Sequence, residues 1–383
     1  MAKNIIIVYG GSSTEHDVSI VTALQVYKRY SIENVSVHLV YIDREDKWYI
    51  GEALDSFQFY KKNDLSKLKK VKLEIGSNFL LCDKGVGKAK KLFQVDFIIN
   101  CCHGGNGESG NLTSLFEMCG IPSSTGDSTS LNVAMDKHMT KMMSLALDIP
   151  TVDFFVVSKH EWQTIRVKIN EQIEQFGFPV VVKPARQGSS VGVCVANSLQ
   201  EFEKALNFAY DFDEKVIVER AIVNKREFNC CLIKKNERVI SASIEEPKAS
   251  DIVITFNDKY LGGKDSKSVK SGVKSCGFRG VGMDGAERQI PADIPTKLKN
   301  EIIRYAKTIY QAIDMCGVVR IDFIMDTETK KVYLGEINSI PGSLGYYFWG
   351  ELNLLDILYE SGTIYWKQRF LKQKSTPSAK IFV

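Results

Sequence analysis

Long apolar runs are missing from this chain: no stretch approaches the ~20 residues that cross a bilayer as a helix. The opening MAKNIIIVYGG has one Lys and a short apolar strand, without the longer apolar stretch and small-residue cleavage site of a secretion signal. A cytoplasmic protein with no membrane partner is therefore expected. An excess of one charge is missing too. Fifty Lys and Arg against 46 Asp and Glu leave a formal +4, too little for a nucleic-acid-binding face. There is no CxxC pair and no Cys/His spacing suited to zinc. The nine cysteines are odd in number, and Cys101-Cys102 and Cys230-Cys231 lie in apolar runs, which favours buried reduced thiols over disulfides. Repeats and low-complexity tracts are absent. What remains is an ordinary globular balance, 44% apolar and 25% charged, over 383 residues, which at about 150 residues each suggests two or three domains.

Asn4 to Tyr9 reads as a strand, Gly10-Gly11 breaks it, an amphipathic segment runs from Asp17 to Tyr30, and Val35 to Ile42 is a second strand. That order opens a parallel α/β sheet. Leu54 to Lys91 is Lys-rich and weakly periodic, so it is expected to decorate the sheet. Val95 to Cys101 is a further strand, followed by HGGNGESGN and a helix from Leu112 to Cys119. The Pro, Ser, Thr and Gly cluster at Pro122 to Gly126 ends a first domain, 1–124. Residues 125–220 alternate helices (Asp136 to Leu147, Glu161 to Gln175, Leu199 to Tyr210) with strands (Val152 to Val157, Phe178 to Lys183, Val191 to Val195, Lys215 to Glu219), an α+β pattern. Residues 221–372 hold strands near 227–234 and 238–245, a helix from Asp293 to Asp314, two strands and a closing helix, Leu354 to Phe370. Residues 373–383 form a polar tail. Pro247 to Gln289 is rich in Gly, Ser and Lys and exceeds the ~12–15 residues of an ordinary loop. A lid over a site and a disordered insertion both fit it.

The strongest chemical signal is Arg320-Ile-Asp322 with Glu336-Ile-Asn338. Residues two apart on a strand share a face. An antiparallel hairpin centred on Thr329 sets Asp322 opposite Glu336 and Arg320 opposite Asn338. Opposed like charges destabilise a sheet, and a divalent cation would relieve them. Two carboxylates and an amide oxygen suit Mg²⁺ or Mn²⁺, not zinc. The alternative is a solvated face that Arg320 neutralises, less favoured because Val319, Ile321, Phe323 and Ile337 between them are apolar. A second feature, Lys183-Pro-Ala-Arg-Gln-Gly-Ser-Ser, joins two strands through a loop whose N–H groups could wrap phosphate oxygens. Gly188 is followed by Ser-Ser and a strand, so it is not a Walker A loop. Lys183 needs an anion, which a phosphate or a neighbouring carboxylate would equally supply. In GGSSTEHDVS, Thr14 and Asp17 fit a capping box, while Glu15 and His16 lie by the turn where such sheets open a crevice. His103 is either a core imidazole or a group near a ligand, its glycine neighbours suggesting close approach.

These segments together resemble the D-alanine–D-alanine ligase family of ATP-grasp carboxylate–amine ligases. The likeness is carried by GGSSTEHDVS (10–19), HGGNGESGNL (103–112), MDKHMTK (135–141), FPVVVKPARQGSSVGV (178–193), VIVER (216–220), DKY (258–260), IPAD (290–293), VVRIDF (318–323) and GEINSIPG (335–342), in the family's order over nearly the full length. It implies an ATP-grasp fold behind a Rossmann-like amino-terminal domain. It also implies joining of two D-alanines for peptidoglycan through an acyl phosphate, and assembly as a homodimer. Lys137 and Lys183 would hold ATP phosphates with Ser189 and Ser190 of the loop, Glu219 the adenine amino group and Glu227 the ribose. Asp322, Glu336 and Asn338 would bind two Mg²⁺, and Arg320 and the Gly342 N–H an oxyanion. Glu15 would meet the ammonium of the first substrate, with Ser189 and Tyr260 hydrogen-bonded to it and His103 beside the substrate.

Departures from the pattern concentrate on the acceptor. Gln187 replaces a Glu of the phosphate loop, and Asn224-Lys225-Arg226 precedes the ribose Glu with one extra residue. After Pro341-Gly342 the family reads roughly F-T-x-x-S, whose Ser binds the second substrate's carboxylate; here Tyr347 takes that place. Either D-alanine is a poor acceptor or has its carboxylate bound elsewhere, as by Lys259, or Tyr346 to Trp349 pack beneath the closing helix and Ser343 reaches the substrate. The same chemistry on another amino acid or a hydroxy acid, and a non-catalytic ATP-binding regulator, are the competing functions.

Overall fold

The computed structural model describes residues 3–29, 35–62, 64–85, 89–247, 288–350 and 352–371. The expected lid, with Lys259 and Tyr260, and the tail 373–383 fall outside them, apart from the lid's end residues Pro247, Arg288 and Gln289. Among the described residues no helix is long and apolar enough to cross a membrane.

The amino-terminal sheet has seven strands: β1 (Lys3–Gly10), β2 (Val35–Ile42), β3 (Trp48–Ile50), β4 (Lys69–Glu74), β5 (Ser77–Asp83), β6 (Ala89–Gln94) and β7 (Phe97–Asn100), in the order β6-β5-β4-β3-β2-β1-β7. β2, β1 and β7 run parallel, while β3 to β6 continue antiparallel. Leu54 to Lys91 therefore extends the sheet instead of decorating it. The reason is a period of two hidden by lysines: in β4 Val71 is buried while Lys69, Lys70 and Lys72 are exposed. On the edge strand β6, the exposed Lys90 and Lys91 discourage pairing with another chain. Side chains of β1 alternate between two cores. Ile5, Ile7 and Tyr9 meet the helix His16–Arg29 on one face, and Ile6 and Val8 meet Phe116 of the helix Asn111–Met118 on the other.

A four-stranded antiparallel sheet follows: β8 (Phe154–Ser158), β9 (Val180–Pro184), β10 (Cys194–Ala196) and β11 (Lys215–Arg220), ordered β10-β9-β11-β8. Helices Arg166–Phe176 and Leu199–Ala209 cover it. The single helix expected over Glu161 to Gln175 is broken at Ile165, where φ is −130°. The β-branched run Thr164, Ile165, Val167 resists helical χ1 rotamers there. The last sheet comprises β12 (Lys225–Lys235), β13 (Arg238–Ser241), β16 (Val319–Asp326) and β17 (Val332–Asn338), and a two-stranded ladder β14 (Glu246–Pro247) with β15 (Arg288–Gln289) stands beside it. Helix Thr296–Ala312 buries Ile302, Ala306 and Ile309 against this sheet.

The closing helix Leu354–Trp366 returns to the amino-terminal sheet. Leu354, Leu355, Ile357 and Leu358 share one core with Ile5, Ile7, Phe97 and Ile99. A Cβ at Gly362 would lie 2.3 Å from the Ser123 carbonyl oxygen and 2.8 Å from the Phe97 ring. Replacing a mid-helix Gly with Ala ordinarily stabilises by up to about 1 kcal/mol. Here overpacking dominates, so Gly362→Ala is expected to destabilise by about 1–3 kcal/mol. Urea midpoints of the two proteins check this; a stabilised variant would show that the contact is slack.

Candidate active site

The site lies where the carboxyl ends of β1 and β7, the loop after β9 and the β16–β17 hairpin converge. The capping box expected of Thr14 and Asp17 is absent. Ser13 Oγ instead accepts the Glu15 N–H at 3.0 Å, and exposed Asp17 accepts from Arg44 at 2.9 Å. This turn projects Glu15 between two glycines. A Cβ at Gly104 (φ 65°) would come within 2.8 Å of Glu15 Oε2, and one at Gly188 within 2.5 Å. Ser189 Oγ donates to Glu15 Oε1. Ser189 and Ser190 hold φ of 48° and 56°, which turns the loop over the carboxylate. Burial raises the Glu15 pKa; the Ser189 bond opposes this, the charge of Glu336 adds to it, and that of Lys137 works against it.

His103 is buried, its Nε2 2.8 Å from Thr22 Oγ1. Burial, and then the charge of Arg320, lower its pKa to about 4, so the imidazole is neutral at neutral pH. Glu108, given no role by the sequence although it closes the glycine run, accepts from the Gly104 N–H (3.0 Å), Ser339 Oγ (3.3 Å) and the Ile340 N–H (3.3 Å). It thus ties the Gly104 turn to the segment leading into Pro341-Gly342. Gly342 opens a 3-10 segment to Phe348 in which Ser343, Leu344 and Gly345 are all left-handed.

The hairpin has the expected register at its open end: Arg320 faces Asn338 and Asp322 faces Glu336. Beyond these pairs Phe323 faces Leu334, so Gly335 is a bulge. Arg320 Nε and Nη2 donate to the two oxygens of Asp322, both at 2.7 Å, and Asn338 Nδ2 donates to the same carboxylate at 2.9 Å. Burial pushes the Asp322 carboxyl up to about 6, which Arg320 offsets and Glu336 augments. Among the described residues no three His, Cys, Asp or Glu side chains are grouped as a metal cage. Asp322, Glu336 and the Asn338 amide are two carboxylates and one oxygen donor, a set whose chemistry fits a hard divalent cation.

Lys137 Nζ donates to the Gln187 carbonyl (2.5 Å) and stands 3.8 Å from Glu336 Oε2, linking the loop to the hairpin. Lys183 meets a carboxylate: Glu219, 5% exposed, lies 2.7 Å from it and 3.2 Å from Lys141. Burial works against the Glu219 anion, yet the two lysines hold its pKa below the ordinary range. Lys141 belongs to the quoted MDKHMTK run but carried no expectation. Glu227, on β12, pairs with Lys225 at 2.5 Å.

On the acceptor side, Ser343 does not reach outward. It is 1% exposed, its Oγ donates to Gln25 Oε1, and its N–H donates to Thr22 Oγ1 at 3.0 Å. Tyr346 and Trp349 pack in the core with Leu354 and Leu355. Tyr347 is half-buried and donates to Glu245 Oε2 at 3.4 Å. No pattern in the chain marked Glu245 or Arg288, which lies 3.4 Å from it.

Comparison with known proteins gives the relatives of this chain. Residues 4–125 match the model of the D-ala D-ala ligase N-terminus, and residues 143–276 and 278–347 that of the C-terminus. The D-alanine–D-alanine ligase of Thermosipho melanesiensis is 34% identical over 354 residues, 90% of this chain and 88% of that protein. That of Caldicellulosiruptor bescii is 32% identical over 88% of this chain and 86% of that protein. The crystal structure of the Helicobacter pylori D-alanine–D-alanine ligase superposes with a TM-score of 0.73 at 26% identity, covering 94% of this chain and 98% of that one. The fold is shared with the VanG D-Ala:D-Ser ligase of Enterococcus faecalis, TM-score 0.73 at 22% identity, over 96% and 100% of the two chains.

Glu108 supplies a pH test. Burial and the nearby charge of Glu15 push its carboxyl up to about 7. An unfolded Glu titrates near ~4.3, so between these values the folded protein binds more protons and loses stability as pH rises. His103, held neutral, contributes with the opposite sign as pH rises from about 4 towards ~6.5. Glu108→Gln is therefore expected to gain stability relative to wild type as pH rises from 5 to 8, in denaturant midpoints taken at each pH. A constant difference would mean that Glu108 titrates normally.

Proposed function

This chain belongs to the D-alanine–D-alanine ligase family, and from that membership we propose how its own residues carry an ATP-dependent ligation of two D-alanines, a step of peptidoglycan synthesis. The observation that carries the residue assignment is the convergence of Glu15–Ser189, Lys137 and the Arg320–Asp322–Asn338/Glu336 hairpin on one place, although they come from three sheets.

In the first half-reaction a carboxylate oxygen of D-alanine attacks the γ-phosphorus of ATP, the bond to the β-bridging oxygen breaks, and ADP leaves. Lys137 and Lys183 would exchange the Gln187 carbonyl and Glu219 for phosphate oxygens, under the N–H groups and hydroxyls of the loop through Ser189 and Ser190. Glu219 would then turn to the adenine amino group, and Glu227 would accept from the ribose. Asp322, Glu336 and Asn338 would hold two Mg²⁺ (or Mn²⁺), which when bound neutralise the triphosphate oxygens. Glu15 would receive the ammonium of the first D-alanine, with Ser189, and Tyr260 from the segment outside the described residues, bonded to it. Neutral His103 lies beside this position and adds no competing positive charge.

In the second half-reaction the neutral amine of the acceptor attacks the acyl carbon. The tetrahedral species collapses with loss of inorganic phosphate, which carries away the proton released from the nitrogen. Arg320 and the Gly342 N–H would stabilise the oxyanion. Arg320 suits the task, because Asp322 fixes its guanidinium by two bonds and no reorganisation is then needed. No covalent link to the protein is required, and positioning plus electrostatics dominate. A homodimer is part of the same reading. The second reading, another amino acid or a hydroxy acid as acceptor, is favoured by one feature: Tyr347 stands where the family has a serine.

Incubation with Mg²⁺-ATP and D-alanine should release ADP and phosphate in step with D-alanyl-D-alanine. A panel of D- and L-amino acids and D-lactate ranks acceptors, and ATP cleavage without any dipeptide or ester would defeat the ligase reading. Asp322→Asn and Glu336→Gln should each lower turnover by about 100-fold or more, the size of a lost charge contact in the transition state. Thermal melts should stay close to wild type. Near-wild-type turnover in both variants would sink the assignment of this hairpin.

A further inference from the structure

A cluster of polar side chains beside Arg320 is unused in the chemistry above. Glu245, 2% exposed, accepts from Asn229 Nδ2 at 3.0 Å and from the Tyr347 hydroxyl at 3.4 Å, both on Oε2. Arg288 Nη1 lies 3.4 Å from Glu245 Oε1, and the Arg288 guanidinium is stacked 4.1 Å above the Tyr347 ring. Tyr347, Glu245 and Arg320 are close enough to act on one another electrostatically.

We infer that Arg288, braced by Tyr347 and Glu245, receives the carboxylate of the acceptor amino acid and so sets acceptor specificity. This deepens the ligase reading and rests on it.

An α-amino acid has one carbon between amine and carboxylate. Once the amine reaches the acyl carbon beside Arg320, the carboxylate must lie close by and needs charged or N–H donors. Tyr347 cannot serve as the missing serine does, because its phenol, kept protonated by burial, is directed at Glu245. Arg320 spends two donors on Asp322 and turns its remaining N–H groups to the oxyanion, and Ser343 is turned into the core. Arg288 is the cation adjoining Tyr347. Its planar fork matches a carboxylate, the ring beneath fixes the plane of the guanidinium, and Glu245 fixes its rotation. Tyr347 and Glu245 are thus positioning residues for Arg288. A purely structural role is the competing outcome. The neighbouring β14 is also tied to β12 by two bonds from Arg226 to Glu246, both at 2.6 Å, independently of Arg288.

D-alaninamide separates these roles, since without a carboxylate it can accept but cannot be phosphorylated. With D-alanine as donor, wild type should prefer D-alanine over D-alaninamide as acceptor by about tenfold or more in kcat/KM, as for a lost charge-assisted contact. Arg288→Gln should erase that preference through the acceptor KM, leaving the amide reaction and the KM for ATP and donor near wild type. Arg288→Lys should restore part of it, and Tyr347→Phe, which keeps the ring, most of it. Equal losses with both acceptors, no change in either, or no discrimination by wild type would each overturn the inference. Failure of the ligase reading shows separately, in wild type, as the absence of any D-alanyl product.

Discussion

A half-buried carboxylate ties the parts of the site together. Glu15 comes from the amino-terminal sheet, yet its cradle is Gly104 of that sheet and Gly188 of the next, with Ser189 donating to it. Taking a carboxylate out of water costs several kcal/mol unless other groups compensate. A single hydroxyl does so only partly, which is why burial still raises the Glu15 pKa. The pocket is therefore better suited to a carboxylate that meets a cation than to one left alone, and a substrate ammonium is such a cation. The left-handed Ser189 and Ser190 and the absence of a Cβ at Gly188 both follow from the need to bring a backbone this close.

The same effect of burial recurs at the hairpin and at Glu108. Three carboxyl groups, Glu15, Glu108 and Asp322, are raised above their ordinary range by burial within one region. Structural carboxylates are usually lowered by their partners, as Glu203 is by Arg166. Such a gathering of raised carboxyl groups suits a cationic ligand.

What the sequence made legible was local. Period-two alternation across Val319 to Phe323 and across Gly335 to Asn338 put Arg320, Asp322, Glu336 and Asn338 on one face. Their pairing could be counted because both pairs lie on the open side of the bulge. The bulge at Gly335 was invisible, since one extra residue in a strand leaves the apolar pattern almost unchanged on either side. β4 and β6 were missed because lysines masked their alternation, and β5 lies between them. The acceptor side was illegible for a different reason. Three successive left-handed residues at 343–345 redirect the side chains that follow, and Ser343 finds partners at Thr22 and Gln25, 321 and 318 positions away. Glu245 and Arg288 meet Tyr347 from strands whose connection no pattern in the chain forecasts.

The closing helix gives the fold an order in time. Synthesis runs from the amino terminus, and domains generally fold as they emerge. One face of the first sheet, Ile5, Ile7, Phe97 and Ile99, receives Leu354, Leu355 and Leu358 only when nearly the whole chain has left the ribosome. Until then that face is covered only in part, by the helix His16–Arg29. The first sheet is thus completed last, and a nascent or truncated amino-terminal domain presents an apolar surface that chaperones would bind.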